Sequence, residues 1–171
     1  MASGDILREL DPRSSIPTAS AYATPDLIAD NSTIDGYYPV LDFAGAAADE
    51  HAEWEFVVPD NYAGGGFDFE VQYAMDGVDG SDVQFEGRMI KTVASDTLTS
   101  EDLQGATATD VTDTPDGTAN VLDVTSEGNI THANAGSPAI GDIVRFRLSR
   151  DYDHAANADD AQVLKVVITE H

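Results

Sequence analysis

The chain has 171 residues, of which 32 are Asp or Glu against 8 Lys or Arg, giving a formal charge of −24, and it contains no cysteine. Binding a phosphate backbone needs a basic face and counterion release, so nucleic acid is excluded as an expected partner. Disulfides, zinc-thiolate sites and thiol nucleophiles are excluded as well.

So large a charge on a small body repels itself and weakens the folded state at ordinary ionic strength. At about 1 M salt the screening length falls to roughly 3 Å, and the same carboxylates then keep the surface hydrated with little mutual repulsion. The composition therefore reads as adaptation to very salty water, with an acidic surface in ordinary medium as the alternative. Disorder is the competing reading of high charge, but 42% of the residues are hydrophobic and they alternate in clear strands, unlike a solvated tail. Met1–Leu10 lacks the basic start and apolar run of a signal peptide, and no stretch approaches the roughly 20 apolar residues of a membrane span. The expectation is a soluble protein made in the cytoplasm, with no membrane partner. Its length suits one domain with a core of its own, plus an arm.

Residues 1–36 begin with a stretch compatible with a short helical turn, Asp5–Leu10, and continue through Pro12, Pro17 and Pro25 among Ser, Thr and Ala. Prolines at this spacing block a long helix and favour extended chain. The segment lacks the regular apolar spacing of a core, and ordering each residue costs roughly 1–2 kcal/mol of backbone entropy. It is therefore predicted to be an extended N-terminal arm whose Ile6, Leu7, Leu10, Ile16, Tyr22, Leu27 and Ile28 dock on another subunit.

From Tyr37 the pattern turns to strands, and residues 37–171 are predicted to form one domain. Tyr37–Phe43 comes first. In Glu53–Val58, Trp54, Phe56 and Val58 alternate with Glu53, Glu55 and Val57, a period of two with one face buried. The cleanest run is Phe67–Met75, where Phe67, Phe69, Val71, Tyr73 and Met75 alternate with Asp68, Glu70, Gln72 and Ala74. Val83–Ala94, Asn120–Thr125, Gly128–His132, Ile143–Ser149 and Gln162–Thr169 bring the total to about eight strands. In Ile143–Ser149, Val144, Phe146 and Leu148 point inward and Arg145 and Arg147 outward. Gly, Pro and Asp turns separate the strands, among them Gly64–Gly66, which lacks a following helix and any Lys and so reads as a hairpin turn rather than a phosphate cradle. Ser95–Ala119 is polar, with one helical turn capped by Thr99 or Ser100 and followed by Glu101 and Asp102, and reads as a long connection that carries a contact. The fold class that follows is all-β, an antiparallel β-sandwich of jelly-roll type. Its core is predicted from Trp54, Phe56, Phe67, Phe69, Val71, Tyr73, Phe85, Val144, Phe146, Leu148, Val166 and Ile168.

Two acidic clusters are candidates for calcium. Asp76, Asp79 and Asp82 punctuate one turn, and Asp151, Asp153, Asp159 and Asp160 surround Asn157 in the last loop. Hard cations take six to eight oxygens, but neither cluster has the spacing or the terminal Glu of the twelve-residue calcium loop. In a chain this acidic, solvated turns account for both, and no metal or cofactor is expected. His51, His132, His154 and His171 form no helical pair and are expected on surface loops, His171 as the last residue. No Gly-x-Ser-x-Gly elbow occurs. Carboxylate pairs are too numerous to discriminate a hydrolase. The aromatic residues Trp54, Phe67, Tyr73 and Phe85 are assigned to the core rather than to a sugar platform, and Tyr37, Tyr38 and Tyr62, near turns, are expected to expose their rings.

Three stretches carry a resemblance: Phe56–Tyr73 (FVVPDNYAGGGFDFEVQY), Gly141–Asp151 (GDIVRFRLSRD) and Val163–Thr169 (VLKVVIT). A strand ending in a Pro- and Gly-rich turn leads into an alternating strand, and an Arg-bearing strand is joined to an apolar one by an Asp-rich loop. This grammar resembles the small jelly-roll virion proteins of tailed viruses, of the head-decoration, turret or tail-accessory kind, over roughly residues 37–171. The resemblance implies a non-enzymatic protein at the capsid surface or tail. Its expected partners are the major capsid protein, other virion proteins and copies of itself, a trimer foremost. With the salt-adapted composition it implies a virus of halophilic archaea. The alternative is a carbohydrate- or receptor-binding module on a tail fibre or surface protein, which needs an exposed aromatic row on one face.

The charge balance sets the first expected outcome. The melting temperature rises substantially between low and molar salt, as screening removes repulsion among the carboxylates. Thermal melts across a salt series check this, and a flat or falling curve contradicts the salt-adapted reading.

Overall fold

A computed structural model describes residues 4–18, 20–29, 36–45, 48–93, 102–153 and 157–171. The described chain forms two antiparallel sheets facing one another, built from β1 (Ile6–Leu10), β2 (Thr24–Ala29), β3 (Tyr37–Phe43), β4 (Glu50–Val57), β5 (Gly66–Met75), β6 (Val83–Thr92), β7 (Thr109–Asp113), β8 (Asp123–Val124), β9 (Gly128–Thr131), β10 (Ile143–Arg150) and β11 (Ala161–Glu170). The smaller sheet runs β4-β10-β6-β7, and the larger one β2-β3-β11-β5-β8, with β1 also on β11 and β9 also on β5. No described helix is long and apolar enough to cross a membrane.

The period-two patterns set which residues meet between the sheets. Phe146 lies between Trp54 and Met89 across the smaller sheet, and Val166 pairs with Val71 and Ile168 with Phe69 in the larger. All twelve residues expected in the core are buried. Phe69 sits opposite Phe146, ring centroids 5.5 Å apart. Two glycines make room for it: a Cβ on Gly87 or Gly128 would come within 2.5 Å of the Phe69 ring. The Gly64–Gly66 turn does not close a hairpin. It carries the chain from β4 in one sheet to β5 in the other, and its amides grip a carboxylate of the protein itself, with Ala63 N–H and Gly65 N–H donating to buried Glu170 at 2.8 and 3.1 Å.

The N-terminal segment departs from expectation. Asp5–Leu10 is not a helical turn: Ile6–Leu10 is a strand paired with Thr169–Val166 of β11. Leu7 and Leu10 are therefore not docking residues for a neighbour, because both are buried in the core of their own domain. Pro12–Ser14 follows as a 3₁₀ turn capped by the Asp11 carboxylate, and Trp54 Nε1–H donates to the Asp11 carbonyl at 3.0 Å. Isolated bridges then lay Ile16 against Glu53 and Tyr22 against His51. The segment closes the open edge of β4 and adds strands to the larger sheet. β7, inside the stretch read as an irregular connection, was likewise not expected; Thr99, Ser100 and Glu101 lie outside the described residues.

One edge of β11 is divided. Ala161–Val163 pairs with Phe43–Leu41, Val166–Thr169 pairs with β1, and the register shifts between Val163 and Lys165, leaving Leu164 as a bulge at the junction. Residues 37–40 of β3 therefore pair only with β2. The β2–β3 hairpin leaves the sheet there as a two-stranded ribbon.

Truncating Phe69 or Phe146 to Ala is expected to cost about 3–5 kcal/mol, and Leu10→Ala about 2–5 kcal/mol, because each leaves a cavity in a closed core. Denaturant unfolding at fixed salt measures all three. Deleting residues 1–28 is expected to destabilise the sandwich itself, since it removes β1, uncovers Trp54 and leaves residues 37–40 of β3 without a partner strand.

Candidate functional site

Three regions concentrate polar or exposed side chains. In the first, both acidic clusters meet at one end of the sandwich. The turn after β5 and the loop before β11 pack together: Asp160 N–H donates to Asp76 Oδ1 at 2.8 Å, and Asp79 N–H to Asp159 Oδ2 at 2.8 Å. Gly77 leaves the space that the Asp159 carboxylate occupies, because a Cβ there would overlap it unless the Asp159 side chain moved. Asp160 Oδ1 accepts from Gly45 N–H and Asp82 Oδ1 from the Thr114 hydroxyl. Asp151 and Asp153 stand apart, joined by an Asp153 N–H to Asp151 Oδ1 bond at 3.2 Å. The oxygens read as calcium candidates thus accept hydrogen bonds from backbone amides and a hydroxyl, and among the described residues no three carboxylates or imidazoles form a metal-binding group.

The centre of this end is a residue that the predicted strand Ile143–Ser149 stops short of and to which sequence reasoning assigns no role. Arg150, the last residue of β10, is 0% exposed. Its Nη1 donates to the carbonyls of Phe43 (2.9 Å) and Asp159 (2.6 Å), and its Nη2 to that of Asn157 (2.8 Å). Burial lowers its pKa, and Asp160, Asp76, Asp42 and Asp159 oppose that shift. Buried Asn157 ties the same loop to the carbonyls of Asp79 and Ser81 through Nδ2, at 2.7 and 2.8 Å. Asp42 shows the cost of the crowding: its pKa is raised from 3.8 to about 6, first by burial and then by Asp160, Asp76, Asp26 and Glu50.

In the second region, the outer face of the smaller sheet, Glu53 is buried yet doubly paired, with Arg145 Nη2 on Oε2 and Arg147 Nη2 on Oε1, each at 2.5 Å. Arg88 pairs with Glu86 at 2.6 Å, and Arg88 and Arg147 both also donate to Gln104 in the loop above. The fork-shaped donors of these arginines are met by the carboxylates of Glu53 on β4 and Glu86 on β6, and by the backbone carbonyl and side-chain amide oxygen of Gln104.

The histidines serve structure. His51 lies on β4 rather than a loop, with Nδ1 2.8 Å from Ser149 Oγ and a pKa lowered by burial and Arg147. His132 meets the Tyr62 hydroxyl at 2.9 Å, and His171 meets Asp68 at 3.0 Å. His154 lies outside the described residues. Tyr62, expected to be exposed, is buried because its ring stacks on Phe67 at 4.8 Å.

The third region is the ribbon. Tyr37 and Tyr38 expose their rings, at 50% and 54%, and Leu27 is 53% exposed. A groove of about 360 Å³ runs along its outer side between Ile28, Tyr38, Ala74, Asn120, Leu122 and Leu164. A second, of about 470 Å³, lies on the other side, where Pro12, Arg13 and Pro17 approach Pro25, Leu27 and Pro39. Of the predicted docking residues, Ile6, Ile16, Tyr22 and Leu27 are exposed, and Ile28 lines the first groove. The structure gathers Leu27 and Ile28 on the ribbon and scatters the others.

No family model and no curated protein matches the chain. Among solved structures it is similar to a cycloisomaltooligosaccharide glucanotransferase from Paenibacillus sp. complexed with cycloisomaltoheptaose, at 10% identity and a TM-score of 0.49, over 95% of this chain and 18% of that one. It is also similar to an exo-β-1,3-galactanase from Phanerochaete chrysosporium with galactose, at 11% identity and a TM-score of 0.46, over 98% of this chain and 29% of that one. The chain thus spans less than a third of either protein, and the similarity reaches no further than the general arrangement of strands.

Replacing Arg150 by Met is expected to leave the carbonyls of Phe43, Asn157 and Asp159 without a donor. At about 1–3 kcal/mol for each unsatisfied group the loss is several kcal/mol. Arg150→Lys, with a single point donor, is expected to recover only part of it. Denaturant unfolding and amide exchange in residues 157–160 measure both variants, and a Met variant as stable as the parent contradicts this role.

Proposed function

We propose that the chain is a non-enzymatic structural protein of a tailed-virus particle, which oligomerises and decorates or stabilises the capsid, and that the β2–β3 ribbon is its docking element. The observation that carries this reading is the ribbon itself: Leu27, Tyr37 and Tyr38, each half exposed, stand on two strands that leave the body of the sheet. Large apolar side chains half exposed on the two faces of an edge ribbon favour association, and a strand edge offers ready-made backbone partners. The first half of β2 is protected by Pro25 and by Asp26, whose Oδ1 accepts from Leu27 N–H at 2.8 Å, while Leu27–Ala29 carries neither proline nor charge. The acidic composition and the resemblance to small virion proteins support reading the particle as that of a virus of halophilic archaea, with the major capsid protein or further copies of this chain as the proposed partners.

A second reading, a carbohydrate- or receptor-binding module, is favoured by the outer groove, which the half-exposed Tyr38 and Asn120 line together with Ala74, Leu122 and Leu164. Tyr and amide groups together suit a sugar, whose faces are apolar and whose edges are polar.

A double variant, Leu27→Asp with Tyr38→Asp, separates docking from folding because both side chains are half exposed and neither belongs to the buried core. It is expected to melt near the parent but to sediment as a monomer in molar salt and to be lost from particles. Assembly unchanged in this variant, or absence of the chain from purified particles, overturns the docking role. Glycan-array binding in high salt that is lost in Tyr38→Ala selects the second reading.

A further inference from the structure

The outer face of the larger sheet holds an unusual pair. Asp42 of β3 and Gln162 of β11 are direct cross-strand partners, on the side opposite core residues Leu41, Phe43, Ala161 and Val163. Side chains directly opposite in an antiparallel pair lie within reach of each other, with Cβ atoms about 4.5–5.5 Å apart. Asp42 Oδ1 and Gln162 Oε1 are both buried, and neither has a hydrogen-bond partner. Two unpartnered acceptors on directly paired residues are both satisfied if one of them carries a proton that it donates to the other.

We propose that Asp42 is protonated in the folded protein at mildly acid pH and donates its proton to Gln162 Oε1, forming a latch that fastens the ribbon to β11 and releases it as the pH rises. The location gives the latch its leverage. β3 touches β11 through only three register pairs, Ala161–Phe43, Gln162–Asp42 and Val163–Leu41, before the ribbon departs. Asp42 is the central one.

The charges around the pair act in the same direction. Asp26 approaches from β2, Glu50 from β4, Asp76 from the end of β5 and Asp160 from the loop before β11, all disfavouring a further negative charge, with burial as the larger cause. Among the described residues the cation that shares this environment is Arg150 of β10, whose Nη atoms are committed to three carbonyls and whose Nε is buried without a partner. The linkage sign follows from a folded-state pKa of about 6 against 3.8 for the free group. The folded state holds the proton more tightly than the unfolded chain does. Stability therefore falls as pH rises from about 4 to about 6, and the penalty is complete above that window. Because the latch holds the ribbon that the proposed function uses for docking, its regulatory meaning rests on that reading, but the proton itself does not.

Carboxyl-carbon NMR of the full chain in molar salt, with Asp42→Asn to assign the resonance, tests the latch without any partner. The expected result is a midpoint near 6, with higher amide protection factors in residues 24–29 and 37–43 at pH 5 than at pH 7.5. In Asp42→Asn, whose amide donates to Gln162 at every pH, that difference is expected to vanish and protection at pH 7.5 to rise to the acid level. A midpoint at or below 4 overturns the proposal, and means that the Gln162 amide is turned to donate Nε2–H to an ionised Asp42. Ribbon protection that ignores pH in the parent also overturns it, even with a raised midpoint. Both readouts stand if the docking role fails, and docking by the Asp42→Asn variant at all pH values is the separate test of the link.

Discussion

The end of the sandwich at which its two sheets are tied by loops depends on one guanidinium. A chain with so few basic residues buries Arg150 completely, and spends all of its observed hydrogen bonds on carbonyls rather than carboxylates. That choice makes physical sense in an acidic protein. Surrounding carboxylates stabilise the cation through space, while the carbonyls fix its position and are themselves relieved of burial without a partner. From this point the loop at residues 157–160 is held in place, and through it the turn at residues 76–79 and the end of β3.

The central strands were legible because a buried face imposes a period of two that no other structure reproduces. Phe67–Met75 and Ile143–Ser149 each carry their inward residues at every second position, and the register found is the one the alternation dictates. The first strand of the domain, Tyr37–Phe43, appears with the predicted bounds. The N-terminal segment was not legible for the complementary reason. Ile6–Leu10 has apolar residues at Ile6, Leu7 and Leu10, a spacing closer to a helical turn than to alternation, and only pairing with β11, some 160 residues away in sequence, decides the matter. Thr109–Asp113 has a single apolar residue, Val111, and is a strand because it lies on the edge of β6. In both places tertiary context overrides a weak local preference.

The candidate sites divide along the same line. Acidic loops are visible as composition, but what occupies their oxygens depends on which backbone amides arrive from elsewhere, and spacing along the chain cannot disclose that. Asp76 and Asp160 could be seen separately; their meeting, and the glycine at position 77 that permits its neighbour's carboxylate to enter, required the fold. Arg150 had no sequence signal beyond being a basic residue at the end of an apolar strand. Tyr37 and Tyr38 were legible as exposed rings because they begin a strand, where the core has not yet closed over them. Tyr62 lies beside a turn as well, and differs only in having Phe67 and His132 to pack against.

Salt acts unequally on these features, and that inequality separates general electrostatics from local design. Repulsion among exposed carboxylates is screened within a few ångströms in molar salt. Burial is not screened, because it reflects lost hydration rather than a distant charge. Burial is the leading cause of the raised Asp42 pKa and of the lowered Arg150 pKa, while the neighbouring acids come after it. Raising the salt therefore quiets most of the −24 charge but leaves these two groups distinct from the rest. In a medium that renders most of the surface electrically silent, the buried ionisable groups at the foot of the ribbon keep their individual character, because what sets them apart is lost hydration and not distant charge.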